Sequence, residues 1–398
     1  MSLAFPSTCA SRWATALLVT ACVGCSRSWP AEEAPDLTER LGAGQVRAGV
    51  VTDTESLVGG VSAEGQVGDI KIYNDRVQFV VQSIREGSYY VSEGGGIIDA
   101  DRVREPGQPG RDVVDEFTTM VGFGRILAPD TVSVISDGRD GRAIVRVEGH
   151  GTALKLLTGS VESPDLIPER DVDIRVDYVL EPDSQLLRVH SSVTWHEDEE
   201  TLLTGQLIML AQDVADGWIP GQGLEGDTVA DPGWVGAVSQ GNEVAIAMMA
   251  TEGVFTDSSL VSSISALTPV VAAFQPNMVL GEEETTSWST FFGVGADLAT
   301  LSDAWHAARD EDTWTAAGTV TAGGTPIAGA RVHLLDGDEL PVTVATTDSE
   351  GAWSVQVLEG QTPTAVATGR GRGLDCDLPT GSGWFSPYAA DVRKQEVL

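Results

Sequence analysis

Gly68–Asp101 reads GDIKIYNDRVQFVVQSIREGSYYVSEGGGIIDAD. Ile70 and Ile72 alternate with Lys71 and Tyr73, and Val77, Phe79 and Val81 repeat the spacing beside Gln78 and Gln82. A period of two marks half-buried strands, and the Asn74-Asp75 pair between them suits a tight hairpin, where positive φ is tolerated. Gly94–Gly96 then runs into Ile97-Ile98-Asp99. A phosphate-cradling loop needs glycines that open a helix with a lysine or serine behind them. Here another strand follows, so the glycines read as a close backbone passage or a bulge in the sheet.

The same pattern continues outward. Thr131–Ile135 and Ile144–Val147 flank the turn residues Asp137–Gly141. Val172, Ile174, Val176, Tyr178 and Leu180 alternate with more polar neighbours, Glu181–Ser184 turns the chain, and Leu187, Val189, Val193 and Trp195 return it. Further strands are expected at Leu203–Leu210, Glu243–Ala250 and Ser287–Gly295. Long antiparallel strands with one polar face make a sandwich and not a parallel sheet. Asp297–Asp312 is the one good helix: Leu298, Leu301, Trp305 and Ala308 form an apolar stripe, with Asp297 or Ser302 as its cap. The expected fold is all-β: a large supersandwich-like domain over 50–296, a linking helix over 297–314, and a small Ig/transthyretin-like β-sandwich over 315–398.

Composition bounds the partners. The 398 residues carry 59 acidic against 24 basic side chains, a formal charge of −35. Such a field repels nucleic acid and anionic lipid, whose binding needs cationic patches. At the N-terminus, Arg12 precedes the apolar run Trp13–Val23, too short for the roughly 20 residues a bilayer span requires but suited to an export signal. Val19-Thr20-Ala21-Cys22 resembles a bacterial lipobox, with Cys25 as the alternative lipidation site. The resemblance implies an acylated cysteine holding the chain on a bilayer, at the outer membrane, the cell surface or facing the periplasm. Residues 1–25 are then signal and lipobox, and 26–49, with Pro30 and Pro35, a flexible tether. Cys376 stands alone in the folded part, too few for a disulfide framework or a zinc site.

Residues 315–370 resemble a second family. Gly318-Thr319-Val320, then Gly324–Leu334 (GTPIAGARVHL), then Thr346–Val355 (TTDSEGAWSV) follow in order the pattern of the carboxypeptidase regulatory-like domain. That family implies a small transthyretin-like sandwich that binds or scaffolds and carries no peptidase residues. The order of parts resembles the front half of bacterial lipoproteins with a PHP-type (CehA/McbA-like) metallohydrolase domain, although no such domain follows before Leu398. The β-rich part resembles, distantly, the galactose-mutarotase supersandwich.

Chemistry is sparse. His150, His190, His196, His306 and His333 stand apart, and His190 and His196 lie about 20 Å apart at strand rise, too far to share a metal. A mutarotase-like reaction would need His150 or His190 beside a carboxylate base. No GxSxG elbow is present. Asp99 and Asp101 lie on one side of an extended chain and are the candidates for a cation, calcium first, without an EF-hand pattern. Gly217–Gly236, read as a glycine- and proline-rich loop, carries Trp218 and Trp234. Their aromatic faces suit a sugar ring; the alternative is that both plug the end of the sandwich. The sequence therefore points to a binding or scaffold protein with no catalytic residues and no cofactor, carbohydrate the leading ligand class and an envelope protein a further partner. The rival is an accessory relative of a PHP-type hydrolase or a mutarotase-like enzyme.

Overall fold

The computed structural model describes residues 34–370, apart from 88–90, 123, 155–168, 199–200, 203, 211–214, 225–230, 240, 242, 257–259, 266–267 and 276–277, and also 384–390 and 393–395. Lipidation at Cys22 or Cys25 falls outside these residues, as does Cys376.

Among the described residues nineteen strands precede the helix. They are β1 (Val46–Val50), β2 (Ile70–Asn74), β3 (Val77–Val81), β4 (Ile97–Arg102), β5 (Val114–Val121) and β6 (Arg125–Asp137). Next come β7 (Ala143–Ala153), β8 (Val172–Leu180), β9 (Leu186–Trp195), β10 (Thr201–Leu202), β11 (Thr204–Leu210), β12 (Ala215–Ile219) and β13 (Gly223–Leu224). β14 (Trp234–Ser239), β15 (Ala245–Ala250), β16 (Leu260–Ser265), β17 (Thr268–Phe274), β18 (Met278–Val279) and β19 (Glu284–Gly295) complete this part. Helix α1 spans Leu298–Ala308. The C-terminal part holds β20 (Thr313–Ala322), β21 (Thr325–Pro326), β22 (Arg331–Leu335), β23 (Pro341–Thr346), β24 (Ala352–Leu358), β25 (Thr364–Arg370), β26 (Trp384–Ala390) and β27 (Arg393–Gln395). The protein is nearly all β, as its alternation of apolar and polar residues dictates.

The pairings of the large part divide it into two layers. One runs β1-β2-β3-β4-β5-β11-β17-β16, and the other runs β6-β7-β8-β9-β19-β15-β14-β12-β13. Every pairing in both is antiparallel. Between the layers lies one apolar core, with Ile72, Phe79, Ile97 and Phe117 from the first and Val147, Val176, Val189, Ile246 and Phe292 from the second. Phe117 stacks on Phe292 at 4.7 Å between centroids, which fastens layer to layer.

The glycine run crosses this core edge at close range. A Cβ at Gly96 would lie 2.6 Å from the Phe117 carbonyl oxygen, and one at Gly95 only 2.8 Å from Val147. Gly95 also has φ +78°, and its carbonyl accepts the Tyr178 hydroxyl at 2.9 Å. Only glycine fits this passage, so the triplet is a packing device and no ligand loop.

The C-terminal strands enclose a core of their own, including Ala316, Val320, Val332, Leu334, Trp353 and Val355. Helix α1 joins both parts. Asp297 caps it, accepting from Thr300 N at 2.8 Å, while its second oxygen accepts from Thr346 N of β23 at 2.6 Å. Leu298 and Leu301 bury against Ala245, Ala247, Met249 and Phe291 of the sandwich, whereas Ala299 joins the C-terminal core. Asp303 Oδ1 accepts from Gln356 N of β24 at 2.7 Å, and Trp305 Nε1 donates to Ala250 O at 2.8 Å. The helix is a rivet between two sandwiches.

Candidate functional site

The expectation that Trp218 and Trp234 stand on a long loop is corrected. Trp218 lies on β12 and Trp234 on β14, 0 % and 4 % exposed. Their rings stack at 6.4 Å, and they join α1 and Val344 in the apolar cluster at the junction. The physical reason is docking: the glycines and prolines that suggested a loop connect short strands, and the C-terminal part covers the indoles. Trp218 therefore has no face for a ligand.

Trp234 does reach a cavity. A cleft of about 460 Å³ opens where the sandwich, α1 and the C-terminal strands meet. Trp234, Trp305, Leu334 and Val342 form apolar wall; Asp336, Asp338, Thr343 and His306 add polar groups. Each is positioned. Trp305 is pinned through Ala250, and Arg309 lies over its ring at 4.6 Å. Ser302 Oγ donates to Thr343 Oγ1 at 3.1 Å, and His306 Nδ1 pairs with Glu311 at 2.6 Å. Asp336 Oδ1 accepts from the backbone N–H groups of Asp338 and Leu340, both at 2.9 Å, which shapes the acidic turn at the rim. Ligand sites are concave, mostly apolar and often lie between domains, with volumes of roughly 300–1,000 Å³. This cleft meets each condition.

A second arrangement lies on the open outer face of β6–β9 and β19. Register sets His150 opposite Asp173, and Asp173 opposite Thr194. His150 Nδ1 is 3.7 Å from Asp130 Oδ2, both well exposed. His196 Nε2 is 3.2 Å from Asp173 Oδ2, and its Nδ1 is 2.9 Å from Glu283 Oε1. Acid and imidazole thus alternate along one row: Asp130, His150, Asp173, His196, Glu283. The bonds to Glu283 and Asp173 raise the His196 pKa above its ordinary value. A shallow groove of about 520 Å³ runs beside the row, lined among others by Glu148, Arg175, Ser192 and Thr285. Strand pairing thus sets two of the five histidines, His150 and His196, beside the same carboxylate, Asp173. His190 is not part of the row; its Nδ1 meets Ser289 Oγ at 3.0 Å. His333 lies in the C-terminal part, where burial pushes its pKa down to about 4.

The cation candidates lie two residues apart on β4, on one side of an extended strand as expected. Asp99 and Asp101 are both fully buried. Asp101 pairs with Arg104 at 2.6 Å and accepts from Arg111 N. Asp99 accepts from Glu64 N and Gly65 N, and burial raises its pKa to about 7. Their oxygens hold two surface segments in place. Among the described residues no group of three or more His, Cys, Asp or Glu is arranged to hold a metal ion, and no helix is long and apolar enough to cross a membrane.

No family model and no curated protein matches the chain. Among solved structures it is similar to a TPR-domain containing protein from Parabacteroides distasonis, with 10% identity, TM-score 0.38, and coverage of 64% of this chain and 56% of that one. A galactose mutarotase-like protein from Clostridium acetobutylicum shows 8% identity, TM-score 0.34, and coverage of 57% and 95%. An alpha-galactosidase from Lactobacillus brevis shows 10% identity, TM-score 0.38, and coverage of 61% and 41%. The chain thus spans about half the length of the first and less of the third. Likeness at this level identifies neither an activity nor a ligand for this chain.

Proposed function

We propose that this protein is a lipid-anchored envelope module that binds carbohydrate in the junction cleft and does not catalyse. One observation carries the reading: a preformed cavity of about 460 Å³ with two indoles on its wall and Asp336 and Asp338 at its rim. An indole packs against the apolar C–H surface of a sugar ring, and carboxylates accept hydrogen bonds from hydroxyls. The rivets through Asp297, Asp303 and Trp305 hold the cleft open without a ligand, which lowers the ordering cost of binding. The likeness of the C-terminal motifs to the carboxypeptidase regulatory-like domain supports an adaptor role. The lipobox-like run supports the anchor, for which mass spectrometry of the mature N-terminus is the test; an unacylated cleavage product refutes it.

Glycan-array binding followed by calorimetry tests the ligand class. Trp305→Ala and Asp338→Ala should weaken binding at least ~10-fold, about the worth of one good contact, while Asp173→Asn on the open face leaves it unchanged. Silence across the array sinks the carbohydrate reading.

A second reading rests on the acid–imidazole row. His196 between Asp173 and Glu283 supplies the acid and base that a mutarotase-like reaction needs. Polarimetry of fresh aldose solutions decides it: acceleration that disappears in His196→Gln supports the enzyme, and the uncatalysed rate excludes it.

A further inference from the structure

Lysine is almost excluded from this chain. Lys71, Lys155 and Lys394 are the only three among 24 basic residues; arginine supplies the rest. Lys71 nevertheless sits inside the fold, on β2 between β1 and β3, and is 6 % exposed. Its ammonium donates to Leu37 O at 3.3 Å and lies 4.5 Å from the centre of the Tyr73 ring. An ammonium has three donors to satisfy, and among the described residues no carboxylate lies within ion-pair distance of it. The side chain also lines a pocket of about 370 Å³ shared with Glu39, Arg40, Glu55, Tyr73 and Arg104. It is therefore buried, under-solvated and open to a cavity.

Two explanations compete. In the plain one, Lys71 clamps the segment around Leu37 to the sheet, and its amine does nothing else. That task suits arginine equally well, since it too carries donors and a long stem, and arginine is what this chain uses elsewhere. What arginine cannot do is give up its proton. Burial lowers the Lys71 pKa to about 8, opposed by the charge of Asp53. A desolvated lysine is the usual form of an activated amine nucleophile.

We propose that Lys71 is a reactive amine site that condenses with small aldehydes entering the pocket beside Tyr73. The neutral amine attacks the carbonyl carbon, and the C=O π pair takes up the proton that nitrogen releases, giving a carbinolamine. The C–O bond then breaks, and water leaves with the second nitrogen proton as the C=N bond forms. Atoms and charge balance without any oxidant or reductant, and the imine returns to amine and aldehyde by adding water. The site is separate from the junction cleft, so its fate does not depend on the carbohydrate reading.

The test uses the full chain with glycolaldehyde as the probe and cyanoborohydride to reduce the imine. Peptide mass spectrometry then compares the three lysines within one molecule. At pH 7 a lysine titrating near 8 is neutral in about a tenth of molecules, against well under a thousandth for an ordinary one. Lys71 should therefore be modified at least ~10-fold faster than Lys155 and Lys394, even after its lower basicity is allowed for. Its rate should level off above pH 8, while theirs continue to rise. Lys71→Arg should lose the fast adduct and keep the slow ones. If Lys71 reacts no faster than the other two, the residue is a clamp alone and the proposal is overturned. That comparison needs only the wild-type chain, so it stands even where Lys71→Arg folds poorly.

Discussion

One sheet presents two contrasting surfaces along the same strands. On β9 the outward positions run Thr194, Ser192, His190, Arg188 and Leu186; on β19, paired beside it, they run Thr285, Ser287, Ser289, Phe291 and Gly293. The first three of each are polar and stand open. Of the last, Arg188 stays exposed with its guanidinium over the Phe291 ring, while the other three are apolar or small and α1 covers them: Leu186 and Phe291 bury with Leu298 and Leu301, and a Cβ at Gly293 would stand 2.8 Å from Leu301. The inward positions of both strands are mostly apolar, and the two buried polar ones, Ser191 and Thr290, are satisfied by Thr119 and Gln206 of the facing layer, so the layers close at both ends. What differs is only the outward alternate. The inner alternation makes the sandwich, and the outer one decides where the second module docks.

Substitutions that exchange the two surfaces should break this contrast in graded fashion. Leu301→Ala on the covered half removes a fully buried side chain and should cost ~2–5 kcal/mol in chemical denaturation. An effect below ~1 kcal/mol would mean the helix packs loosely. The next effect is on pH. Burial raises the Asp303 pKa to about 7, the nearby charge of Asp297 adds to this, and the Gln356 N–H opposes it. Below the unfolded value of 3.8 both states hold the proton. Between there and about pH 7 only the folded state keeps it, so stability falls as pH rises through this window and levels off above it. The loss should be at most about 4 kcal/mol. Asp303→Asn should flatten the slope in part, because Asp99, also raised to about 7 by burial, titrates in the same window. An unchanged slope in that variant would show that Asp303 is not held neutral at the junction.

Asp297→Ala should cost ~1–2 kcal/mol, the usual loss for a helix cap, with Thr346 N losing its acceptor as well. Differential scanning calorimetry should show the C-terminal part loosening from the sandwich in that variant. On the open half, Ser192→Ala should change stability by no more than ~0.5 kcal/mol. A large loss there would mean that the polar face is built into the fold and is not a free surface.

Much of the fold was legible because alternation is local. Period two in Val172–Leu180 and Ile70–Val81, and the three-to-four spacing of Leu298, Leu301 and Trp305, need only neighbours along the chain. For the cap, local position leaves Asp297 and Ser302 open, and Asp297 is the one that fills it. The candidate sites were less legible. His196 meets Glu283 across 87 residues and Asp173 across 23, through strand pairings that no local pattern announces. Local composition puts Trp218 and Trp234 on a loop, because the module that buries them lies about a hundred residues further on. Trp305, on the cleft wall, reads in sequence only as one residue of an apolar stripe. Nothing in that spacing reveals that one edge of the helix also borders a cavity.

β15 carries a consequence of its own. Its six residues, AIAMMA, are all buried, with Ile246 and Met248 in the interlayer core and Ala245, Ala247 and Met249 beneath the helix. No local opening can bare its amides: water must first part the two layers or lift the docked module. In hydrogen–deuterium exchange this strand should therefore be the slow clock of the molecule, reporting whole-domain unfolding, while amides at the outer edge of the polar face exchange by fraying.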